Sequence, residues 1–127
     1  MRFITTFFWL LVFSISSFGQ EEKINGAYLS IESDTLNYGE IRINSNGERS
    51  IKVVNTGNEP LLINFCKGSC GCTVPKCPNT KILPGDVSAI KIVYETTKVG
   101  EFSKTVTIKS NAINNTVYIK IIGKVMP

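Results

Sequence analysis

The most reactive side chains in this 127-residue chain belong to four cysteines. They fall within a stretch of twelve residues, and no other position of the sequence is a cysteine. Their order is Cys66, Cys70, Cys72 and Cys77. Three kinds of chemistry are open to such a cluster: structural disulfides, binding of a soft metal ion, and thiol–disulfide exchange. Four cysteines allow three pairings, and the spacing alone does not choose among them.

Structural disulfides fit the even number of cysteines, provided that the protein is exported to an oxidising compartment. A bond between Cys66 and Cys77 forms easily if the segment folds back, and it would stabilise the fold by about 2–3 kcal/mol. A bond between Cys70 and Cys72 is harder to form. Residues i and i+2 of a strand lie roughly 6.5–7 Å apart, the limit for a disulfide. That bond would be strained or would need a turn at Gly71.

The two alternatives use the cysteines as thiolates. Four thiolates in a compact loop could bind Cu(I) or Zn(II), but the spacing is not the paired Cys-x-x-Cys of a zinc ribbon. The chain also has no histidine that could share a metal site. For thiol–disulfide exchange, Lys67 and Lys76 could favour a thiolate at Cys70 or Cys72. No βαβ pattern or helix N-terminus is predicted that would lower a thiol pKa. Both alternatives stay open beside the disulfides.

The composition argues against an enzyme. Without histidine, the usual Ser-His-Asp and Cys-His arrangements are excluded. The acidic residues are single and lie mostly in polar turns, so no facing pair of carboxylates is predicted for a glycosidase. They include Asp34, Glu40, Glu59, Asp86, Glu95 and Glu101. We predict no catalytic residue and no cofactor. The net charge of +4 is scattered along the chain, which gives no sign of nucleic-acid or membrane-surface binding.

The first 19 residues have the pattern of a secretory signal peptide. A positive tip at Arg2 is followed by an uncharged, mainly apolar stretch from Phe3 to Ile15, and small residues stand at Ser17 and Gly19. We predict cleavage after Gly19. The apolar stretch is shorter than the roughly 20 residues of a membrane-spanning helix, and no later segment could span a bilayer. The protein is therefore predicted to be secreted, either periplasmic or extracellular.

Beyond the leader, apolar residues recur at every second position in short runs separated by turns. The predicted strands cover residues 28–32, 36–41, 49–54, 61–65, 89–95, 102–109 and 117–122. Leu61, Ile63 and Phe65 are predicted to point inward. Tyr118 is out of phase with its neighbours and is predicted to lie on the outer face, beside Lys120. The pattern indicates an all-β, immunoglobulin-like sandwich of about seven antiparallel strands. Residues 20–33 form a lead-in with the first strand, and residues 34–127 form the domain.

An ordered set of short motifs carries a family resemblance. They are Tyr38-Gly39-Glu40-Ile41, Val54-Asn55-Thr56-Gly57, Ser69-Cys70-Gly71-Cys72-Thr73-Val74-Pro75 and Ile82-Leu83-Pro84-Gly85. From about residue 34 to its end, the chain resembles DUF1573, a family of small secreted proteins of unknown function common in Bacteroidetes. The resemblance implies an Ig-like fold, related to the ASPM/SPD-2/Hydin domains, in an extracytoplasmic setting. It implies no activity or cofactor. The family's cysteines match Cys70 and Cys72, whereas Cys66 and Cys77 are additions.

These observations predict a non-catalytic secreted or periplasmic module with a structural or protein-binding role. Its partner would be another envelope or extracellular protein, bound by adding a strand to an exposed sheet edge. The alternative is a cysteine site for copper binding or thiol–disulfide exchange, built from Cys66, Cys70, Cys72 and Cys77.

Overall fold

The computed structural model describes residues 25–127, and all of the regular elements in this range are β-strands. In chain order they are β1 (Leu29–Ile31), β2 (Thr35–Arg42), β3 (Glu48–Asn55), β4 (Ile63–Gly68), β5 (Thr73–Lys76), β6 (Val87–Tyr94), β7 (Gly100–Ser110) and β8 (Thr116–Met126). In this part of the chain there is no helix of the length and apolarity that a membrane span requires. The signal peptide predicted at residues 1–19 lies outside the described residues.

The strands form two four-stranded sheets, with the orders β1-β3-β6-β5 and β2-β8-β7-β4. The predicted all-β, immunoglobulin-like sandwich is confirmed, and two details differ. There are eight strands because the cysteine segment contributes the short strand β5. One pair, β2 with β8, is parallel. It arises because the N-terminal segment is divided between the sheets: β1 pairs with β3, and after residues 32–34 the chain crosses to β8.

The core lies between the two sheets and is built from the predicted alternation. The central strands bury a β-branched residue at every second position, and each of these side chains is at most 3% exposed. They are Ile51, Val53, Ile90, Ile92, Val106, Ile108, Ile119 and Ile121. Full burial of one such side chain contributes about 1.5–3 kcal/mol. The hydrophobic effect therefore fixes which face of each strand is turned toward the other sheet.

Strand β4 departs from the predicted alternation at Phe65. Leu61 and Ile63 are buried as predicted, but Phe65 is 42% exposed, so its inward placement is wrong. The reason is an irregularity between Ile63 and Phe65, which pair with the consecutive residues Ser110 and Lys109 of β7. One extra residue in a strand reverses the faces of all residues that follow. The phase shift turns Phe65 outward and packs Cys66 against the core.

A buried aromatic cluster closes the core at one end. Tyr38 lies 5.6 Å from Phe102 between ring centroids, and Tyr94 stacks on Phe102 at 3.8 Å. The Tyr38 hydroxyl has one proton, which it donates mainly to the carbonyl oxygen of Gly47 (2.7 Å) and shares with that of Ile92 (3.2 Å), and this ties the cluster to the backbone. Burial raises the pKa of Tyr38 to about 12, although the Arg49 guanidinium opposes this shift.

Tyr38→Phe is expected to lower the free energy of unfolding by about 1 kcal/mol near neutral pH, because the hydrogen bond from the buried hydroxyl is lost, although Gly47 still accepts from Tyr94 N–H at 3.0 Å. The pKa of Tyr38 is about 12 in the folded protein and 10.0 unfolded, so its contribution is complete below pH 10 and is lost toward pH 12. Urea unfolding across that range should therefore show the wild-type advantage over Tyr38→Phe shrinking as pH rises. If the difference in unfolding free energy between wild type and Tyr38→Phe did not change with pH, the raised pKa of the Tyr38 hydroxyl would be contradicted.

Candidate functional site

The four cysteines lie in the segment from Cys66 to Cys77, which runs from β4 in one sheet through a turn to β5 in the other. The two strands do not pair with each other; we call this segment the cysteine hairpin. Within its turn, Thr73 N–H donates to the carbonyl oxygen of Cys70 at 3.3 Å. Position 68 requires glycine, because a Cβ there would overlap the carbonyl of Thr73. Ser69 N–H donates to Thr105 of β7, and Glu95 N–H, directly after β6, donates to Cys72, each at 2.8 Å. The turn is thus anchored at both sheets.

The structure pairs all four cysteines in two disulfides. Cys66 of β4 is bonded to Cys77, the residue after β5, with 6.3 Å between their Cα atoms. This bond joins the edge strands of the two sheets. Cys70 is bonded to Cys72 with a Cα–Cα distance of 5.3 Å. That distance is shorter than in an extended strand, because the chain turns at Gly71. The sequence predicts that a Cys70–Cys72 bond is either strained or needs a turn at Gly71, and the structure has the turn.

The oxidised hairpin offers no free thiolate. Thr73 Oγ1 lies 3.8 Å from the Sγ atoms of both Cys70 and Cys72, and the Thr73 side chain is buried. Lys67 and Lys76 are exposed. Within residues 25–127, no group of three or more His, Cys, Asp or Glu side chains could hold a metal ion. Metal binding and thiol exchange would both begin from the reduced hairpin, since the thiolate is the reactive species.

A groove of about 460 Å³ lies at the open side of the sandwich, between β4 and β5. The two strands and the turn supply its walls: Cys66, Lys67, Gly68, Ser69, Cys70, Gly71, Thr73, Val74 and Pro75. Val74 is 47% exposed, so the wall on the β5 side is partly apolar. The Cys66–Cys77 disulfide bridges the two walls and fixes their separation.

The β4 wall of the groove presents main-chain hydrogen-bonding groups. Ser69 N–H is bonded to Thr105 of β7, and bonded and non-bonded pairs alternate along an antiparallel ladder. By that alternation Phe65 and Lys67 direct their N–H and C=O groups to β7. The groups of Cys66 and Gly68 therefore face away from β7, toward the open edge. An extended peptide lying along β4 would meet them.

The other sheet edges are less suited to pairing, as far as residues 25–127 show. On β5, Pro75 has no N–H, and Thr73 N–H is already used within the turn. Proline at an edge is a recognised way of preventing strand addition. Strand β1 has only three residues. Strand β2 is interrupted between Asn37 and Glu40, where Gly39 has φ 66. From Phe65 onward β4 is regular, so it offers the edge most open to a further strand.

The chain belongs to a family described as "Protein of unknown function (DUF1573)", whose model matches residues 29–125. This confirms the resemblance predicted from the sequence motifs. A search of curated proteins found no match. The fold is that of PapD-like and Ig-like domains, and several solved structures share it.

Three of these structures illustrate the likeness. A Porphyromonas gingivalis W83 protein of unknown function is 16% identical, with TM-score 0.70 and coverage of 85% of this chain and 51% of that one. PapD-like domain 7 of human CEP192 is 7% identical, with TM-score 0.64 and coverage of 77% and 84%. The CsuC–CsuE chaperone–tip adhesion subunit pre-assembly complex of Acinetobacter baumannii is 13% identical, with TM-score 0.57 and coverage of 77% and 57%. The chain spans little more than half of the first and third matched chains, and identities this low show the fold alone.

Proposed function

We propose that this chain is a non-catalytic, extracytoplasmic module that binds another protein by accepting an extended segment along β4. One observation carries the proposal: a groove of about 460 Å³ lined by Cys66 and Gly68 lies along the edge strand β4, whose ladder alternation turns the main-chain groups of these two residues away from β7. In strand addition, main-chain hydrogen bonds supply affinity and pockets for alternate side chains supply specificity. The groove offers both features.

The Cys66–Cys77 disulfide supports this role because it prepares the site in advance. It holds the β4 and β5 edges together, with 6.3 Å between the two Cα atoms. A groove whose walls are already fixed loses little further conformational entropy when a ligand binds, and this favours affinity. Pro75 on the facing strand has no N–H to donate, which leaves β4 as the pairing edge.

The extracytoplasmic setting is supported by two independent features. Two disulfides within about 100 residues are typical of exported proteins, and residues 1–19 have the pattern of a signal peptide. The likeness to a chaperone seen in complex with a tip adhesion subunit supports a protein partner, because the same fold there engages another protein. We propose another envelope or extracellular protein as the partner.

The test uses short random peptides selected for binding to the immobilised, oxidised protein. Each backbone amide of a selected peptide is then N-methylated in turn, and affinity is measured by calorimetry. We expect methylation of every second amide, those facing β4, to weaken binding at least about tenfold. Methylation of the intervening amides is the matched control and should change little. Equal sensitivity of all amides, or a helical bound peptide, would contradict strand addition.

A second candidate function is thiol–disulfide exchange or copper binding at Cys70 and Cys72. It is favoured by the position of this disulfide in the turn, next to the exposed Gly71, around which no atom crowds. Free thiols and bound copper would be counted in the native protein, with and without reductant. Free thiols at Cys70 and Cys72 that take up Cu(I) stoichiometrically would favour the cysteine site. Paired sulfurs that do not react in the native fold would favour the binding module.

A further inference from the structure

The outer face of the β2-β8-β7-β4 sheet carries a distinctive group of side chains beside the proposed β4 edge. Phe65 stands opposite Lys109, and Lys67 stands opposite Thr107. Thr107 in turn stands opposite Tyr118 of β8. We call this surface the lysine–aromatic face; it consists of Phe65, Lys67, Thr107, Lys109, Tyr118 and Lys120.

Two aromatic rings of this face are open to solvent. Tyr118 is 61% exposed and Phe65 is 42% exposed, on strands separated by β7. Their backbones are therefore about 10 Å apart across the sheet. Lys109 Nζ lies 5.3 Å from the centroid of the Phe65 ring, which leaves the rest of that ring accessible. Aromatic residues that present both an apolar surface and a polar group are enriched where proteins meet.

Among residues 25–127, no salt bridge involves the three lysines of the face. Lys67, Lys109 and Lys120 are all exposed. Between residues 25 and 127, the single salt bridge joins Lys91 and Glu48 at 3.8 Å, on the other sheet. The positive charges of the face are therefore available to a partner.

The two carboxylates carried by the strands of this sheet lie away from these lysines. Glu101 and Glu40 flank Lys124 near the other end of the face. Asp34, which precedes β2, lies nearer, since its carbonyl oxygen accepts from Lys120 N–H. Its carboxylate is hydrogen-bonded on the other side: the Thr35 hydroxyl donates to Oδ1 at 3.2 Å. The charge of the face is thus positive around its two aromatic rings.

We infer that the lysine–aromatic face docks an acidic, partly apolar segment of the partner polypeptide. This inference rests on the proposed function in one respect, that the ligand is a protein. It adds the chemistry of the segment that docks here. Phe65 and Lys67 are two residues apart on β4, which is about 6.8 Å, the repeat of same-face side chains in any strand. A segment whose same-face residues, i and i+2, are in turn apolar and acidic would match that repeat.

The spacing favours a polypeptide over a polyanionic chain. The lysines are separated by exposed rings and threonines, and the strand spacing places Lys67 and Lys120 about 12 Å apart. A polyanion with a charge on every unit would leave most of its charges unpaired on such a face, and it has no apolar groups for Phe65 and Tyr118. Carboxylate and aliphatic side chains that take turns along one face of a polypeptide segment satisfy both features.

The probes are a short peptide with the repeat Leu-Ser-Glu-Ser, which carries Leu and Glu in turn on one face (the Glu–Leu peptide), its counterpart with Gln in place of Glu (the Gln–Leu peptide), and an alginate oligosaccharide. The variants are Lys67→Glu/Lys120→Glu and the control Lys81→Glu/Lys98→Glu, which has the same net charge with both changes in exposed positions off this face. We expect the Glu–Leu peptide to bind best and Lys67→Glu/Lys120→Glu to weaken it at least about tenfold, against less than about twofold for the control. Tyr118→Ala should also weaken binding.

Three results would overturn the inference: equal binding of the Gln–Leu peptide, equal losses in both charge variants, or alginate binding in place of the peptide. The proposed function is tested separately, by the alternating effect of N-methylation. A selected peptide that shows this alternation but has no preference for acidic residues would refute the docking face and leave strand addition at β4 intact.

Discussion

Asn55→Asp should lower the free energy of unfolding by at least about 3 kcal/mol, although it exchanges only an amide nitrogen for an oxygen. The Asn55 side chain is fully buried at the end of β3. Its Nδ2 donates to the carbonyl oxygens of Glu59 (2.7 Å) and Ile82 (2.9 Å). Its Oδ1 accepts from Gly57 N–H (3.0 Å) and Tyr28 N–H (3.3 Å). A carboxylate has no proton for the two carbonyls and brings a buried charge.

Asn58→Asp is the matched control for this substitution. The Asn58 side chain is exposed, and its Oδ1 accepts from Gly26 N–H at 2.7 Å, a bond that a carboxylate makes equally well. Urea unfolding of the oxidised proteins should show a change within about 0.5 kcal/mol for Asn58→Asp. Similar losses for both variants would mean that Asn55 does not hold together β1, β3 and the loop before β6.

Removal of the Cys66–Cys77 disulfide is the second large effect expected. Cys66→Ala/Cys77→Ala should lower the free energy of unfolding by about 3 kcal/mol. This bond spans 11 residues of sequence, whereas Cys70–Cys72 spans 2. In the chain-entropy account a disulfide stabilises more when it closes a longer loop, so Cys70→Ala/Cys72→Ala should cost only about 1.5 kcal/mol.

The two double variants are each other's control, because each removes two half-buried sulfurs from the same hairpin. Chemical denaturation followed by tyrosine fluorescence would rank them. The proposed groove adds a second readout: peptide affinity should fall in the Cys66/Cys77 variant, whose walls are no longer joined. A larger loss of stability in the Cys70/Cys72 variant would contradict the assigned role of the long-range bond.

The fold class could be predicted because it depends on a repeating pattern. Pairs such as Ile119 and Ile121 alternate with polar residues, and only a two-layer arrangement buries one face of every strand. Phe65 could not be placed, because one extra residue in β4 reverses the phase and the sequence does not mark where it is inserted. Strand β5 was missed because four residues with a central proline show no alternation. Its β-branched residues Thr73 and Val74 were the available signal.

The candidate site was predictable only in part. The cysteine cluster is visible in the sequence, and Tyr118 was correctly placed on the outer face with Lys120. The groove was not predictable, because it depends on which strands become edges, and that is decided by pairing between distant segments. Asn55 follows the predicted strand 49–54, and nothing in its sequence context signals a buried side chain. Its role appears only when Tyr28 and Ile82, each 27 residues away in sequence, are brought to its side chain.

Amide hydrogen exchange in β4 decides whether a partner strand is added there. In the complex with a selected peptide, the amides of Cys66 and Gly68 should exchange at least about tenfold more slowly than in the free protein, because they gain hydrogen bonds. The amides of Phe65 and Lys67 already face β7 and should change less. Protection that alternates in this way would establish strand addition at β4. Protection confined to β2, or binding without any change in β4, would contradict it.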